Sequence, residues 1–113
     1  MSGVMAKYRP HALVMQLGAD SLCYDKLGQF NMSVKGHAQC LKYMLEFGLP
    51  TIMMGGGGYT IENVSRCWAY ETGVALGIEI EDEIPKYDQF YSRYGFDQKI
   101  HFPVKTVEDK NTP

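Results

Sequence analysis

Thr51-Ile52-Met53-Met54-Gly55-Gly56-Gly57-Gly58-Tyr59-Thr60 carries a short apolar strand, begun at Leu49, into four glycines and a single tyrosine. Thr60 stands where a helix cap belongs, and Glu62 follows in the first turn, where a negative charge favours the helix dipole. Four consecutive glycines cost more backbone entropy than a structural turn requires. Such a loop lets backbone approach something closely, or it aims the next side chain. Here that side chain is Tyr59.

Downstream, Ile61, Val64, Trp68, Thr72 and Ala75 predict the buried stripe of a helix that Gly77 ends. Upstream, Ser33 is placed to cap another helix, whose apolar face is Val34, Ala38, Leu41 and Leu45 and whose stop is Gly48 with Pro50. Before it, Ala12-Leu13-Val14-Met15-Gln16-Leu17 is a nearly continuous apolar run, the pattern of a strand buried on both faces of a parallel sheet. Gly18 ends that strand, and residues 18–33 form a long loop of a length more often functional than not. Val4, Met5 and Tyr8 mark the end of a helix closed by Arg9-Pro10.

The order strand–helix–strand–helix predicts an α/β fold, its parallel strands joined by a right-handed crossover. Two strands alone leave edges on both sides and apolar faces that want cover. The expectation is therefore the C-terminal portion of a larger α/β domain over residues 1–102, followed by a polar tail at 103–113. In the last third, Glu79, Glu81, Asp82 and Glu83 form an acidic turn before Pro85. Tyr87, Phe90, Tyr91 and Tyr94 crowd at near-helical spacing, and Ile100 with Phe102 predict a last short strand. This segment is expected to wrap over the rest, with Lys105 to Pro113 frayed.

Composition narrows the function classes. The 113 residues are 45% apolar with a net charge of −2, and the basic residues are scattered, which gives no footprint for direct nucleic-acid binding. No apolar run reaches membrane-spanning length and no signal peptide is evident. Cys23, Cys40 and Cys67 show no C-x-x-C spacing and read as reduced thiols of an intracellular protein.

In open parallel sheets, ligands bind beyond the carboxyl ends of the strands. Asp20 follows the first strand and Tyr59 the second, so neighbouring strands would bring both to one crevice. Asp20 reads either as a turn cap helped by Ser21 or as a metal ligand or acid–base group. Tyr59 reads as a locally satisfied core tyrosine or as a functional hydroxyl. The glycine run lacks both the third glycine of G-x-G-x-x-G and the lysine of a P-loop, which disfavours a nucleotide. His11, His37 and His101 are too far apart for a helical metal site, and His37 reads as structural.

Several of these stretches together resemble one family. Leu17-Gly18-Ala19-Asp20-Ser21-Leu22, Leu27-Gly28, Phe30-Asn31-Met32-Ser33, Lys35-Gly36-His37, Gly55 to Thr60, Asn63 and Arg66-Cys67-Trp68 are similar, in order and spacing, to the C-terminal half of the class I zinc-dependent histone deacetylases. The resemblance runs from about Val4 to Ile100. It is looser after Lys86, where Tyr94-Gly95 fits but Phe96 replaces the usual proline.

The resemblance implies a three-layer arginase-like α/β domain with a central parallel sheet. Asp20 would be one of three zinc ligands, and the Tyr59 hydroxyl would donate to the acetyl carbonyl oxygen. Leu27 would sit at the wall of the acetyl-lysine tunnel, with Gly57 and Gly58 along its inner end. Substrates would be acetylated histone tails or other acetyl-lysine proteins, the partner a corepressor complex, and the location the nucleus and also the cytoplasm. The family's other two zinc ligands and its histidine pair are missing from this sequence, so the isolated chain is expected to be inactive. Lys26 and Glu62 stand where inositol-phosphate-binding members carry arginines, and the reversed charge at Glu62 argues against that cofactor. Two other readings are an inactive short form that binds partners or competes with full-length enzyme, and an acetylpolyamine deacetylase-like amidohydrolase.

Overall fold

The computed structural model describes residues 1–108. Helix α1 (Ser2–Tyr8) leads through Arg9, in left-handed conformation at φ 52°, to strand β1 (Leu13–Gln16). A 3-10 turn at Ala19–Ser21 opens the long loop, helix α2 (Val34–Leu45) follows, and then strand β2 (Thr51–Met54) and helix α3 (Ile61–Leu76). The two strands are parallel, with Leu13 opposite Thr51 and Gln16 opposite Met54. No described helix is long and apolar enough to cross a membrane.

The expected order of elements is therefore present, with shorter strands. β1 stops at Gln16 because the Leu17 carbonyl turns to accept from the Trp68 indole N–H at 2.8 Å. Ser33 caps α2 through the Gly36 amide. Thr60 occupies the cap position of α3, but its hydroxyl donates instead to the Tyr24 carbonyl at 2.7 Å. The loop 18–33 is internally braced by a bridge between Leu22 and Met32.

Helices α2 and α3 pack on each other. The buried cluster of Ala19, Leu22, Cys23, Val34, Cys67, Ile100 and Phe102 joins the loop after β1, both helices and the C-terminal segment. The strands were expected to be buried on both faces, and they are not. Register partners Val14 and Ile52 are 66% and 60% exposed, whereas Leu13, on the opposite face, is buried. Among the described residues the sheet thus has helices on one side only, and no third layer covers Val14 and Ile52.

The buried face of α3 also differs from the predicted stripe. Asn63, Arg66, Cys67, Glu71 and Gly73 are buried, while Ile61, Thr72 and Ala75 are exposed. Polar side chains win the interior because each finds partners there. Arg66 donates from Nε to the Lys99 carbonyl at 2.7 Å, from Nη1 to Asn63 Oδ1 at 3.0 Å, and from Nη2 to the Gly95 carbonyl. Its guanidinium also lies 5.0 Å from the Tyr94 ring centre and 5.4 Å from that of Phe102.

That clamp shapes the C-terminal segment. Ile100 and Phe102 are buried as expected, but they form no strand. The segment makes a single antiparallel bridge between Glu83 and Lys99, with the Ile84 amide donating to Gln98 and the Ile100 amide to Asp82, while Arg66 takes the Gly95 and Lys99 carbonyls on the other side. The Tyr87–Tyr94 aromatics form no α-helix, only a short 3-10 turn at Tyr91–Arg93, and Tyr87 is 90% exposed. The segment does wrap over the rest. Asn31 exchanges two hydrogen bonds with Lys105, at 2.8 and 3.0 Å, so the tail is tied at its start. Residues 109–113, the end of the tail expected to fray, lie outside the described residues.

Candidate functional site

At the carboxyl ends of the two strands, the turn after β1 lies directly against the glycine loop after β2. The Ala19 amide donates to the Gly57 carbonyl at 2.6 Å. Asp20 presses its carboxylate on Gly57 so closely that a Cβ at position 57 would overlap it. A Cβ on Gly56 would overlap the Gln16 amide, and one on Gly55 would come within 2.9 Å of the Trp68 ring. Gly58 adopts φ 148° with Val64 behind it, a conformation that favours glycine. The expectation of close approach at this loop is met, and the approaching group at Gly57 is Asp20.

Tyr59 is joined to the same region by a residue that sequence reasoning passed over. Asp25 accepts from the Tyr59 amide at 2.8 Å through one oxygen, and from the Leu27 and Gly28 amides at 2.8 Å each through the other. Slight burial works against the charge, yet the Gly28, Tyr59 and Leu27 amides hold the Asp25 carboxyl below the usual range. One carboxylate thus fixes both the loop that carries Leu27 and the start of the segment that carries Tyr59. Leu27 is 65% exposed and Tyr59 46%, so both side chains remain open to a ligand. The only visible signal for Asp25 was its place in Asp25-Lys26-Leu27-Gly28, an aspartate ahead of a glycine turn.

Behind the Asp20 turn lies a buried polar cluster. His37 Nδ1 meets Glu71 Oε1 at 2.6 Å, and His37 Nε2 donates to the Gly18 carbonyl at 3.0 Å. Cys67 Sγ lies 3.6 Å from Nδ1. The Cys67 sulfur and the Glu71 carboxylate hold the imidazole protonated, with its pKa pushed up to about 11. The carboxylate is the nearer and the charged partner, so it governs. Burial in turn pushes the Cys67 thiol up.

His37, Cys67 and Glu71 bring one donor atom each within 4.8 Å of one another, the spacing of a metal site. Both imidazole nitrogens are already engaged, however, so the ring presents no free lone pair. The cluster is an ion pair bonded to backbone. The structural reading of His37 is met, whereas Glu71 gave no sign of its role in sequence because a glutamate within a helix reads as a solvated residue.

The Asp20 carboxylate has the surroundings that the zinc implied by the resemblance would need. Among the described residues no hydrogen-bond donor meets the Asp20 carboxylate, although the residue is half-buried beside two backbone strands. A carboxylate that only caps a turn would accept from backbone amides, as Asp25 does. A free carboxylate at a strand's carboxyl end fits one coordination position of zinc.

A histone deacetylase domain model matches residues 1–75. The chain is 53% identical over 112 residues to histone deacetylase 19 of Arabidopsis thaliana, covering 99% of this chain and 22% of that protein. It is 54% identical over 112 residues to probable histone deacetylase 19 of Zea mays, with the same coverage. It is 49% identical over 112 residues to histone deacetylase 1 of Homo sapiens, covering 99% of this chain and 23% of that protein. The chain spans about a fifth of the length of these relatives.

Proposed function

This chain belongs to the histone deacetylase family, and from that premise we propose that it supplies part of a class I, zinc-dependent site for hydrolysis of the acetyl-lysine amide. One observation carries the reading: Asp20, a carboxylate without a donor among the described residues, rests on the same glycine loop that presents Tyr59. A turn cap and a core tyrosine would both be satisfied locally.

Asp20 is the residue that would hold the metal in this chain, and bound zinc would supply an acidified water and a polarised carbonyl. The remaining roles belong to side chains and backbone described above. The Tyr59 hydroxyl donates a hydrogen bond to the acetyl oxygen as negative charge builds there, and a donor fixed in advance stabilises that charge at little reorganisation cost. Asp25 holds the backbone of Tyr59 through its amide, which limits where the hydroxyl can reach. Gly57 makes room for the Asp20 carboxylate and Gly58 for Val64, so the loop backbone can lie close to the metal position, and Leu27 offers an apolar wall to the lysine methylenes.

Substrates in this reading are acetylated histone tails or other acetyl-lysine proteins, with a corepressor complex as partner and the nucleus, and also the cytoplasm, as location. The chain is the C-terminal portion of a three-layer arginase-like domain, whose further layer would cover Val14 and Ile52. The test is a graft of this chain's matching residues into full-length histone deacetylase 19 of Arabidopsis thaliana. The hybrid should hydrolyse an acetyl-lysine peptide in preference to an acetylpolyamine, and Tyr59→Phe should lower kcat about 10²- to 10³-fold with little change in KM. A folded hybrid with no hydrolysis, or one in which Tyr59→Phe leaves kcat intact, would overturn the reading.

A further inference from the structure

The turn that carries Asp20 is attached through its backbone, the Ala19 amide donating to the Gly57 carbonyl and the Ser21 carbonyl accepting from Met32, while its own polar side chains add little. Ala19–Ser21 is a single 3-10 turn, Asp20 has no hydrogen bond through its side chain among the described residues, and the Ser21 hydroxyl reaches the Gly18 carbonyl only at 3.5 Å. Two helices meet this turn from behind. Trp68 of α3 binds the Leu17 carbonyl at 2.8 Å, and His37 of α2 binds the Gly18 carbonyl at 3.0 Å. His37 is itself fixed, because its other nitrogen faces Glu71 of α3 at 2.6 Å and both side chains are buried. The chain of contacts Glu71–His37–Gly18 thus runs from one helix through the other into the backbone two residues before Asp20.

We propose that His37, oriented by Glu71, is a positioning residue for Asp20: its Nε2–H locks the Gly18 carbonyl and thereby sets the turn that holds the Asp20 carboxylate against Gly57. The proposal rests on the deacetylase reading only for what Asp20 then binds. The direction of the hydrogen bond follows from the environment. Nδ1 carries a proton toward the carboxylate, and Nε2 can only donate to a carbonyl, so the ring acts as a double donor. A chain of charge-assisted hydrogen bonds between buried groups is stiffer than any one of its links. Among the described residues Glu71 Oε2 has no hydrogen-bond partner, so the attachment seen is through the imidazole, and the ring's orientation is correspondingly tied to Oε1.

Two measurements on the 113-residue chain, neither of which needs zinc or turnover, test this. The first is NMR of the His37 ring in the unaltered chain. Both ring nitrogens should be protonated at neutral pH, with a scalar coupling from Nε2–H to the Gly18 carbonyl carbon. A ring lacking that coupling overturns the proposal without any mutation. The second is amide hydrogen exchange. In His37→Ala, the Ala19 and Leu22 amides, which bond Gly57 and Ala19, should exchange about tenfold faster, the worth of one lost hydrogen bond. Leu41, in the middle of α2, should change far less.

A purely structural role would accelerate all three amides alike, which would overturn the proposal. In Glu71→Gln, the new amide can donate to Nδ1 while Nε2 keeps its proton toward Gly18. That variant should leave Ala19 and Leu22 protected. Equal loosening in both variants would assign the effect to charge and would overturn the donor role. The hybrid enzyme tests zinc and hydrolysis separately, so failure of the deacetylase reading would leave these exchange patterns standing.

Discussion

The Asp25 carboxylate and the Tyr59 amide meet at 2.8 Å across 34 residues of sequence, and this bond holds the two loops of the site together. The same carboxylate takes the Leu27 and Gly28 amides, so a single side chain organises the residue proposed for the tunnel wall and the one proposed as oxyanion donor. Asp25→Ala orphans three amides at once. It should cost about 1–3 kcal/mol, since these are hydrogen bonds to a charged but partly exposed group. Urea denaturation of the chain checks this, and an unchanged midpoint would show that the loops hold without Asp25.

The same residue sets an acid-side pH dependence. Its folded pKa lies below the ordinary 3.8, so its contribution is present above 3.8 and is lost as pH falls through the folded value. Below pH 4, the parent chain should therefore lose stability more steeply than Asp25→Asn. Parallel acid profiles for the two proteins would contradict the assignment.

His37 acts on the opposite side. Its pKa is raised from 6.5 to about 11, so its stabilising contribution is complete below 6.5, declines above that, and is gone once pH passes about 11. The groups facing it are Cys67 and Glu71 from α3 and the Gly18 carbonyl from the loop after β1. The Cys67 thiol, also raised, adds a loss of the same sign above its ordinary value of 9.0. Thermal denaturation between pH 7 and 10 should show a steeper decline for the parent than for Glu71→Gln, in which the carboxylate that raises the imidazole pKa is absent. Equal slopes would mean that the imidazole does not carry a proton across this range.

The contrast between Asp25 and His37 shows where sequence was legible. Strand–helix–strand–helix could be read because apolar periodicity and glycine or proline stops are local signals: Val34, Ala38 and Leu41 are buried as their spacing predicts. The glycine run could be read as close approach because four glycines have few other uses, and Gly57 against Asp20 answers it. The face of α3 could not. Ile61 and Ala75 read as core by their apolarity, but Arg66 and Glu71 take the interior through partners 29 to 34 residues away. Those pairings are long-range, and no local pattern announces them. The expected strand at Ile100 is reduced to one bridge, between Lys99 and Glu83, and the Arg66 contacts that hold this segment are equally long-range.

Arg66 therefore carries a prediction of its own. Arg66→Met keeps much of the apolar stem but leaves the Gly95 and Lys99 carbonyls and Asn63 Oδ1 without their donor. The buried Asn63 Oδ1, left without its donor, costs about 1–3 kcal/mol, and the two part-buried carbonyls cost less because water can reach them. The segment from Tyr94 to Phe102 should detach first, and limited proteolysis should cut there while α2 and α3 stay protected. Cleavage at the same rate as in the parent would show that Ile100 and Phe102 suffice to hold it.

The glycine loop offers a paired test of the metal role. Gly57→Ala places a methyl group where the Asp20 carboxylate lies, whereas the same change at Gly3 meets nothing within 4 Å. Gly3→Ala should be neutral or stabilising by up to about 1 kcal/mol, because alanine is the better helix former. In the hybrid enzyme, Gly57→Ala should weaken zinc retention against a chelator while Gly3→Ala leaves it unchanged. The isolated chain should show neither effect, since one carboxylate offers a single ligand where a catalytic zinc site takes three. For that reason the purified 113-residue chain should hydrolyse no acetyl-lysine peptide with or without added zinc. Zinc-dependent turnover by the chain alone would mean that groups other than Asp20 complete a coordination sphere, and would send the search for ligands back to this chain.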